Sequence, residues 1–257
     1  GDTIKYHFEV KNNGNDNAIN TQINDTLPLT VDLVQPISPL PAGVTYTYNN
    51  TTRILSFFIQ NNIIKVGDPI IPISYKVVVK NECYFLETSC ASNVVSQLTA
   101  TYNGVKNPNL QTTVSSNALT SCGLGNDKPN ITNITQPSPA IWASQAGSLN
   151  KTINCDDAQA LADAQSLFPL TSKCTFNLTK VKGTFVSSVN CPLKGTYTNT
   201  WTFTDKCGRT SPVFTQTITV QDTTRPVFTG NLPKDITVNC DAIPTAAQLS
   251  ATDNCGT

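Results

Sequence analysis

Methionine is absent from this chain, histidine occurs once, and charged side chains make up 13% of its 257 residues. That is about half of the ~25% usual in globular domains. With only His7 and no Cys-x-x-Cys pair, the spacing of a structural zinc site is missing. The same scarcity argues against a catalytic thiol, because a nucleophilic cysteine needs a base within reach. Lys plus Arg and Asp plus Glu are each 17, so no net field favours nucleic acid or an anionic membrane. No apolar run approaches the ~20 residues needed to span a bilayer. No signal peptide is visible in a chain that reads as starting inside a domain. The shortage of Glu and Lys also disfavours surface helices. Asn, Thr and Ser fill the polar positions instead, which suits solvated β-sheets.

What is present is cysteine, nine residues of it. Without metal spacing, that number indicates an oxidising, extracellular compartment. The cysteines also mark a repeat. Residues 152–174 read TINCDDAQALADAQSLFPLTSKC and residues 237–255 read TVNCDAIPTAAQLSATDNC. Each opens on a short β-type run ending Asn-Cys-Asp, crosses an Ala-rich stretch and closes on a second Cys. Upstream, Asp127-Lys128-Pro129-Asn130-Ile131 matches Asp222-Thr223-Thr224-Arg225-Pro226-Val227 loosely. The period is that of a domain rather than of a solenoid repeat. The second copy holds too little sequence for a core, so the chain reads as a window on a longer tandem array.

Residues 1–118 alternate with period two. Ile4, Tyr6, Phe8 and Val10 share one face of a strand, and Lys5, His7 and Glu9 share the other. Asn12-Asn13-Gly14-Asn15 supplies turn residues. Further strands are expected over 31–35, 44–48, 53–59, 70–79 and 93–102. This spacing predicts an antiparallel sandwich. Residues 119–127 read as a linker, 128–225 as a second β-sandwich and 226–257 as the start of a third unit. Strands are expected at 130–135, 149–155, 175–189, 196–204 and 212–221. The one expected helix lies within 156–168, capped by Asp156 or Asp157. That adjacent pair is alternatively an ion site. Pro226 should interrupt any strand running past Asp222. The fold class is therefore all-β, as tandem sandwich domains with disulfides.

Gly1-Asp2-Thr3, Asn13-Gly14, Asp25-Thr26-Leu27-Pro28 and Val66-Gly67-Asp68 together resemble the conserved-repeat domain found in tandem on bacterial surface proteins. The resemblance covers most of 1–118 and implies an immunoglobulin-like sandwich. The motifs Tyr197-Thr198-Asn199-Thr200-Trp201, Thr204-Asp205-Lys206-Cys207-Gly208 and Thr252-Asp253-Asn254-Cys255-Gly256 resemble the hyalin-type repeats of large adhesins secreted by Bacteroidota, gliding-motility adhesins included. At 171–174 Thr-Ser-Lys-Cys stands where that pattern has Thr-Asp-Asn-Cys.

Four cysteines in 128–225 allow three connectivities. Placing them at strand ends of a sandwich favours Cys155–Cys191 and Cys174–Cys207, while Cys83 and Cys90 are close enough to staple a short loop. Cys122 is left without an assigned partner. Asp205, Asp222 and Asp253 are candidates for a Ca²⁺ site where repeats meet, or alternatively turn residues bonding their own backbone. Asp2-Thr3, Asp25-Thr26 and Asp222-Thr223 resemble the O-glycosylation acceptors of Bacteroidota secreted proteins, making Thr3, Thr26 and Thr223 candidates; short Asp-Thr turns are the alternative. Trp201 reads as a buried strand residue. Trp142, in a Pro-rich stretch, is the one candidate for a sugar-stacking platform.

The expected role is not catalytic. The sequence reads as a disulfide-stapled stalk in a secreted cell-surface adhesin or filament. Its expected partners are the other repeats of the same chain, the outer-membrane surface or motility machinery, and an extracellular surface or polysaccharide. Nucleic acid is not among them. The rival reading is a carbohydrate-binding accessory module of a secreted enzyme.

Overall fold

A computed structural model describes residues 1–116, 119–120, 123–124, 128–189 and 191–255. The protein is all-β and divides into two units, Gly1–Ser138 and Pro139–Thr257.

The first unit contains β1 (Thr3–Val10), β2 (Ala18–Thr26), β3 (Val31–Leu33), β4 (Val44–Asn49), β5 (Ile54–Ile59) and β6 (Ile71–Val79), then the short helix α1 (Glu82–Glu87). It continues through β7 (Asn93–Ser96), β8 (Leu98–Gly104), β9 (Gln111–Ser115), β10 (Leu119–Thr120), β11 (Gly123–Leu124) and β12 (Asn130–Asn133). Two antiparallel sheets, ordered β1-β6-β3 and β4-β5-β2-β8-β9, enclose the core. β1 follows its sequence pattern: Tyr6 is buried, while Lys5, His7 and Glu9 are exposed. From both sheets, Val31, Leu55, Phe57, Ile73 and Val77 reach the core essentially without solvent contact. Tyr6 stacks on Tyr75 at 5.1 Å and Phe8 meets Phe57 edge-on at 5.4 Å. Arg53 fastens the turn after β2, donating to the carbonyls of Leu27, Pro28 and Val31.

The second unit contains β13 (Lys151–Asn154), α2 (Ala158–Ser166), β14 (Thr179–Val181), β15 (Val186–Ser188), β16 (Cys191–Thr202), β17 (Phe214–Gln221), β18 (Val227–Thr229) and β19 (Ser250–Thr252). Its sheet runs β13-β17-β16-β14, with β15 also on β16. The helix lies where the sequence puts it. Asp157 is its cap, accepting from the Ala160 N–H at 2.8 Å. Asp156 instead accepts from the Asn154 amide at 2.6 Å, so the adjacent carboxylates act locally.

The boundaries differ from expectation in instructive ways. β12, expected to open the second unit, pairs antiparallel with β7 of the first. β10 and β11 pair with each other inside the expected linker. The second unit therefore opens at Pro139, not at residue 128. The backbone repeats from there: Trp142 bridges Thr171, and Val227 pairs with Thr252, each Thr standing three residues before a Cys. The expected strand 175–189 breaks into β14 and β15. Between them Gly183 comes so close to Thr198 that a Cβ would lie 2.1 Å from its carbonyl oxygen. Residues 93–102 likewise divide into β7 and β8, because the two halves join different partners.

Candidate functional site at the repeat junction

In the second unit the first and last strands of the repeat lie side by side and parallel. Lys151 is opposite Ile218 and Asn154 opposite Gln221. This is the one parallel pairing among the described strands; all the other pairings are antiparallel, as expected for the first unit. Ile153 fixes the register by burying its side chain against Ile218 and Val220. The Cys155 N–H extends the ladder, donating to the Gln221 carbonyl at 3.0 Å.

The chain then turns at Asp222. Asn154 Oδ1 accepts from the Thr223 N–H at 3.0 Å and from its hydroxyl at 3.2 Å. Asp222 accepts from the Thr224 N–H at 3.0 Å. Cys155 is bonded to Cys255, with 5.8 Å between Cα atoms and 100 residues between them in sequence. The Asp222 carboxylate lies within 4.8 Å of both sulfurs. One short patch therefore gathers the end of the entering strand, the end of the leaving strand and the closing cysteine of the following copy.

This bond corrects the expected Cys155–Cys191 link, since Cys155 has one sulfur to give. The expected pairing treated 226–257 as a separate body, whereas the cross-link runs from one copy into the next. Cys83, Cys90, Cys174 and Cys207 are disulfide-bonded as well. Cys240 is a free, exposed thiol. Cys122 and the Cys191 side chain lie outside the described residues.

The three aspartates proposed for Ca²⁺ act as turn residues. Asp205 Oδ1 accepts from the N–H groups of Cys207 (3.0 Å) and Arg209 (2.9 Å), and its Oδ2 pairs with Arg209 Nε at 2.6 Å. Its side chain is almost wholly buried by these contacts. Gly208, at φ +77°, permits the reversal that brings Arg209 back. Asp253 repeats the motif, accepting from Cys255 N–H at 3.3 Å. Among the described residues, Asp205, Asp222 and Asp253 do not converge on one point.

Trp142 is half-buried. It donates from Nε1 to the Pro212 carbonyl at 2.7 Å and packs against Phe203 and Phe214. A shallow depression of about 490 Å³ lies beside it, with Asn150, Thr215 and Thr217 on its wall. Trp201 is buried, and the Lys180 ammonium sits 4.9 Å from its ring. Thr3, Thr26 and Thr223 are all exposed. His7 is exposed on β1, bonded to Ser74 Oγ at 2.9 Å and 3.6 Å from Glu9.

Two buried polar groups were not anticipated. Asp25, in the Asp-Thr-Leu-Pro motif, turns into the core of the first unit and accepts from the Tyr75 hydroxyl and, at 3.1 Å, from Ser96. Burial pushes its carboxyl above the usual range against the opposing effect of those bonds. Burial, reinforced by the Asp25 charge, pushes the Tyr75 hydroxyl up. The sequence signal was parity, because Asp25 falls on the inward phase of β2 with Thr21 and Ile23. In the second unit Asn199 and Gln216 are fully buried and bonded at 2.9 Å. Asn199 also binds Gln165 and the Gly183 N–H, while Gln216 donates to the Leu149 and Ala164 carbonyls.

Compared with known proteins, the chain matches no family model and no curated protein.

Proposed function

We propose that this chain is a load-bearing segment of a long, secreted cell-surface adhesin or filament, of the Bacteroidota gliding-adhesin kind that its motifs resemble. In this reading it carries tension between the outer-membrane surface or motility machinery and an extracellular surface or polysaccharide. The observation that carries the reading is the parallel pairing of β13 with β17. In the reduced repeat, opposed pulls on its two ends load that ladder along its length, so its hydrogen bonds resist together instead of opening one by one. The junction disulfide adds a covalent bypass. While that bond is intact, tension entering through β13 crosses from Cys155 to Cys255 and bypasses β17, so the ladder is the reserve that bears load once the bond is reduced.

Single-molecule pulling from the two ends of the chain tests this. The oxidised protein should release no length from 156–254. Reduction should add at least about 330 Å of contour at ~3.3–3.6 Å per residue. The reduced repeat pulled through residues 139 and 225 should unfold at a higher force than when pulled across β14 and β16. Equal forces in both directions would remove the load-bearing role. Antibody against the first unit should label intact cells of the source organism; labelling only after lysis would remove the surface location.

The depression beside Trp142 motivates the second reading, a carbohydrate-binding accessory module. Its test is retention on immobilised polysaccharide, lost in Trp142→Ala. Retention together with direction-independent unfolding would favour this reading over the stalk.

A further inference from the structure

The two copies of the repeat place their cysteines in register. Asn154-Cys155-Asp156 matches Asn239-Cys240-Asp241, and Cys174 matches Cys255. The backbone agrees, through the Trp142–Thr171 bridge and the Val227–Thr252 pairing that precede Cys174 and Cys255. Within this register, Cys155–Cys255 joins the opening cysteine of one copy to the closing cysteine of the next. Cys174, the counterpart of Cys255, is itself disulfide-bonded. Cys240, the counterpart of Cys155, is exposed and free. Within its own copy Cys240 has Cys255 as its one neighbour in sequence, and that sulfur is already taken.

We infer that Cys155–Cys255 is one rung of a staggered disulfide ladder, in which the opening cysteine of each repeat bonds the closing cysteine of the repeat after it. The partner of Cys240 is then the cysteine of an Asp-x-Cys-Gly loop, about 100 residues further along an array of such repeats. The bond forms by exchange: the Cys240 thiol and its partner thiol are oxidised to a disulfide while the disulfide of a thiol–disulfide oxidoreductase is reduced to its dithiol, conserving both electrons and both protons.

The stagger makes the rungs overlap. Cys240 lies inside the loop closed by Cys155–Cys255, so the covalent path leaving Cys255 runs back along the chain to Cys240 and crosses to the next rung. That path holds about 15 residues per repeat, against about 85 along the backbone. Fully extended, the reach per repeat is about 50 Å rather than about 290 Å at ~3.3–3.6 Å per residue. A filament so built cannot lengthen by unfolding beyond roughly a sixth of its backbone length.

The connectivity does not depend on the stalk reading and is tested apart from it. Native protein from its source, alkylated without reduction, is digested and its cross-linked peptides are sequenced. The peptide carrying Cys240 should be joined to one carrying a closing cysteine about 100 residues downstream, and the Cys155 peptide to the Cys255 peptide. A Cys240–Cys255 link, a Cys155–Cys191 link or alkylated Cys240 in the native protein would each overturn the ladder. Pulling the same protein supplies the independent check. The fully extended length per repeat should rise about sixfold on reduction, and an unchanged length would overturn the overlapping path.

Discussion

The two units reach stability by different means. In the first, fourteen buried apolar residues form one cluster spanning both sheets. In the second the corresponding cluster is Ile153, Ala164, Ile218 and Val220, with Trp201, Phe203 and Phe214 buried beside it. A fully buried Asn–Gln pair there ties the sheet to the helix and to the loop at Gly183. Among the described residues of the first unit, Asp25 is the one buried carboxylate, set among buried Thr and Ser hydroxyls and a large apolar interior. The polar groups of the second form a connected network that replaces part of the apolar interior. One unit is held mainly by area removed from water, and the other depends more on hydrogen bonds whose partners are fixed in number and direction.

The sharpest way to break that contrast is to hollow out the first core. Phe57→Ala should cost about 3–5 kcal/mol, the range for deleting a buried aromatic ring, and should lower one of two calorimetric transitions while leaving the other in place. A shift in both would mean that the units do not melt separately. Next in size is Gln216→Leu. It strands the Leu149 carbonyl, takes one of two donors from the Ala164 carbonyl and removes a partner of Asn199; at about 1–3 kcal/mol for a buried group left unpaired, we expect a loss of about 2 kcal/mol, seen in urea denaturation. A neutral result would show the network to be replaceable by apolar packing.

The junction disulfide should matter far less to equilibrium stability than its length suggests. A cross-link closing about 100 residues contributes about 4.7 kcal/mol by the chain-entropy argument. In the folded unit, however, β17 already delivers Asp222 to Cys155, so the native chain closes only the ~33 residues that follow. With closure cost growing as (3/2)RT ln n, the difference is about 1 kcal/mol. The double variant Cys155→Ser, Cys255→Ser should lower the second transition by that amount.

The finest distinction is pH dependence. Burial raises the folded-state carboxyl of Asp25 above its ordinary 3.8. Between those two values the folded unit holds more protons than the unfolded chain, so this group's contribution to stability falls as pH rises through the folded value. The stability of the native protein relative to Asp25→Asn should therefore increase on acidification from neutral pH toward pH 4. A flat difference across that range would mean that Asp25 is not desolvated in solution.

Much of the first unit was legible because alternation is a strong signal when one face of each strand is buried, and β1 follows it residue by residue. The helix was legible from Asp157 and the Ala-rich stretch. The helix α1 was not, because Asn81, its cap, precedes cysteines that drew the segment into a loop reading. Asn199 stands in the Tyr-Thr-Asn-Thr-Trp motif, yet its burial depends on Gln165 and Gln216, which local pattern does not connect to it. The cysteine pairing was misread for a related reason. Strand ends within one presumed domain exclude a partner in the next copy, and Cys155 found its partner there.

The Asp205 turn carries its own counter-charge. Its carboxylate is already saturated by two backbone N–H groups and the Arg209 guanidinium. A loop whose shape is held by its own arginine needs nothing dissolved in the surrounding water. A chelator should leave it unchanged, because its donors are two backbone N–H groups and a guanidinium of the same loop, so the geometry of this turn is settled when the chain folds.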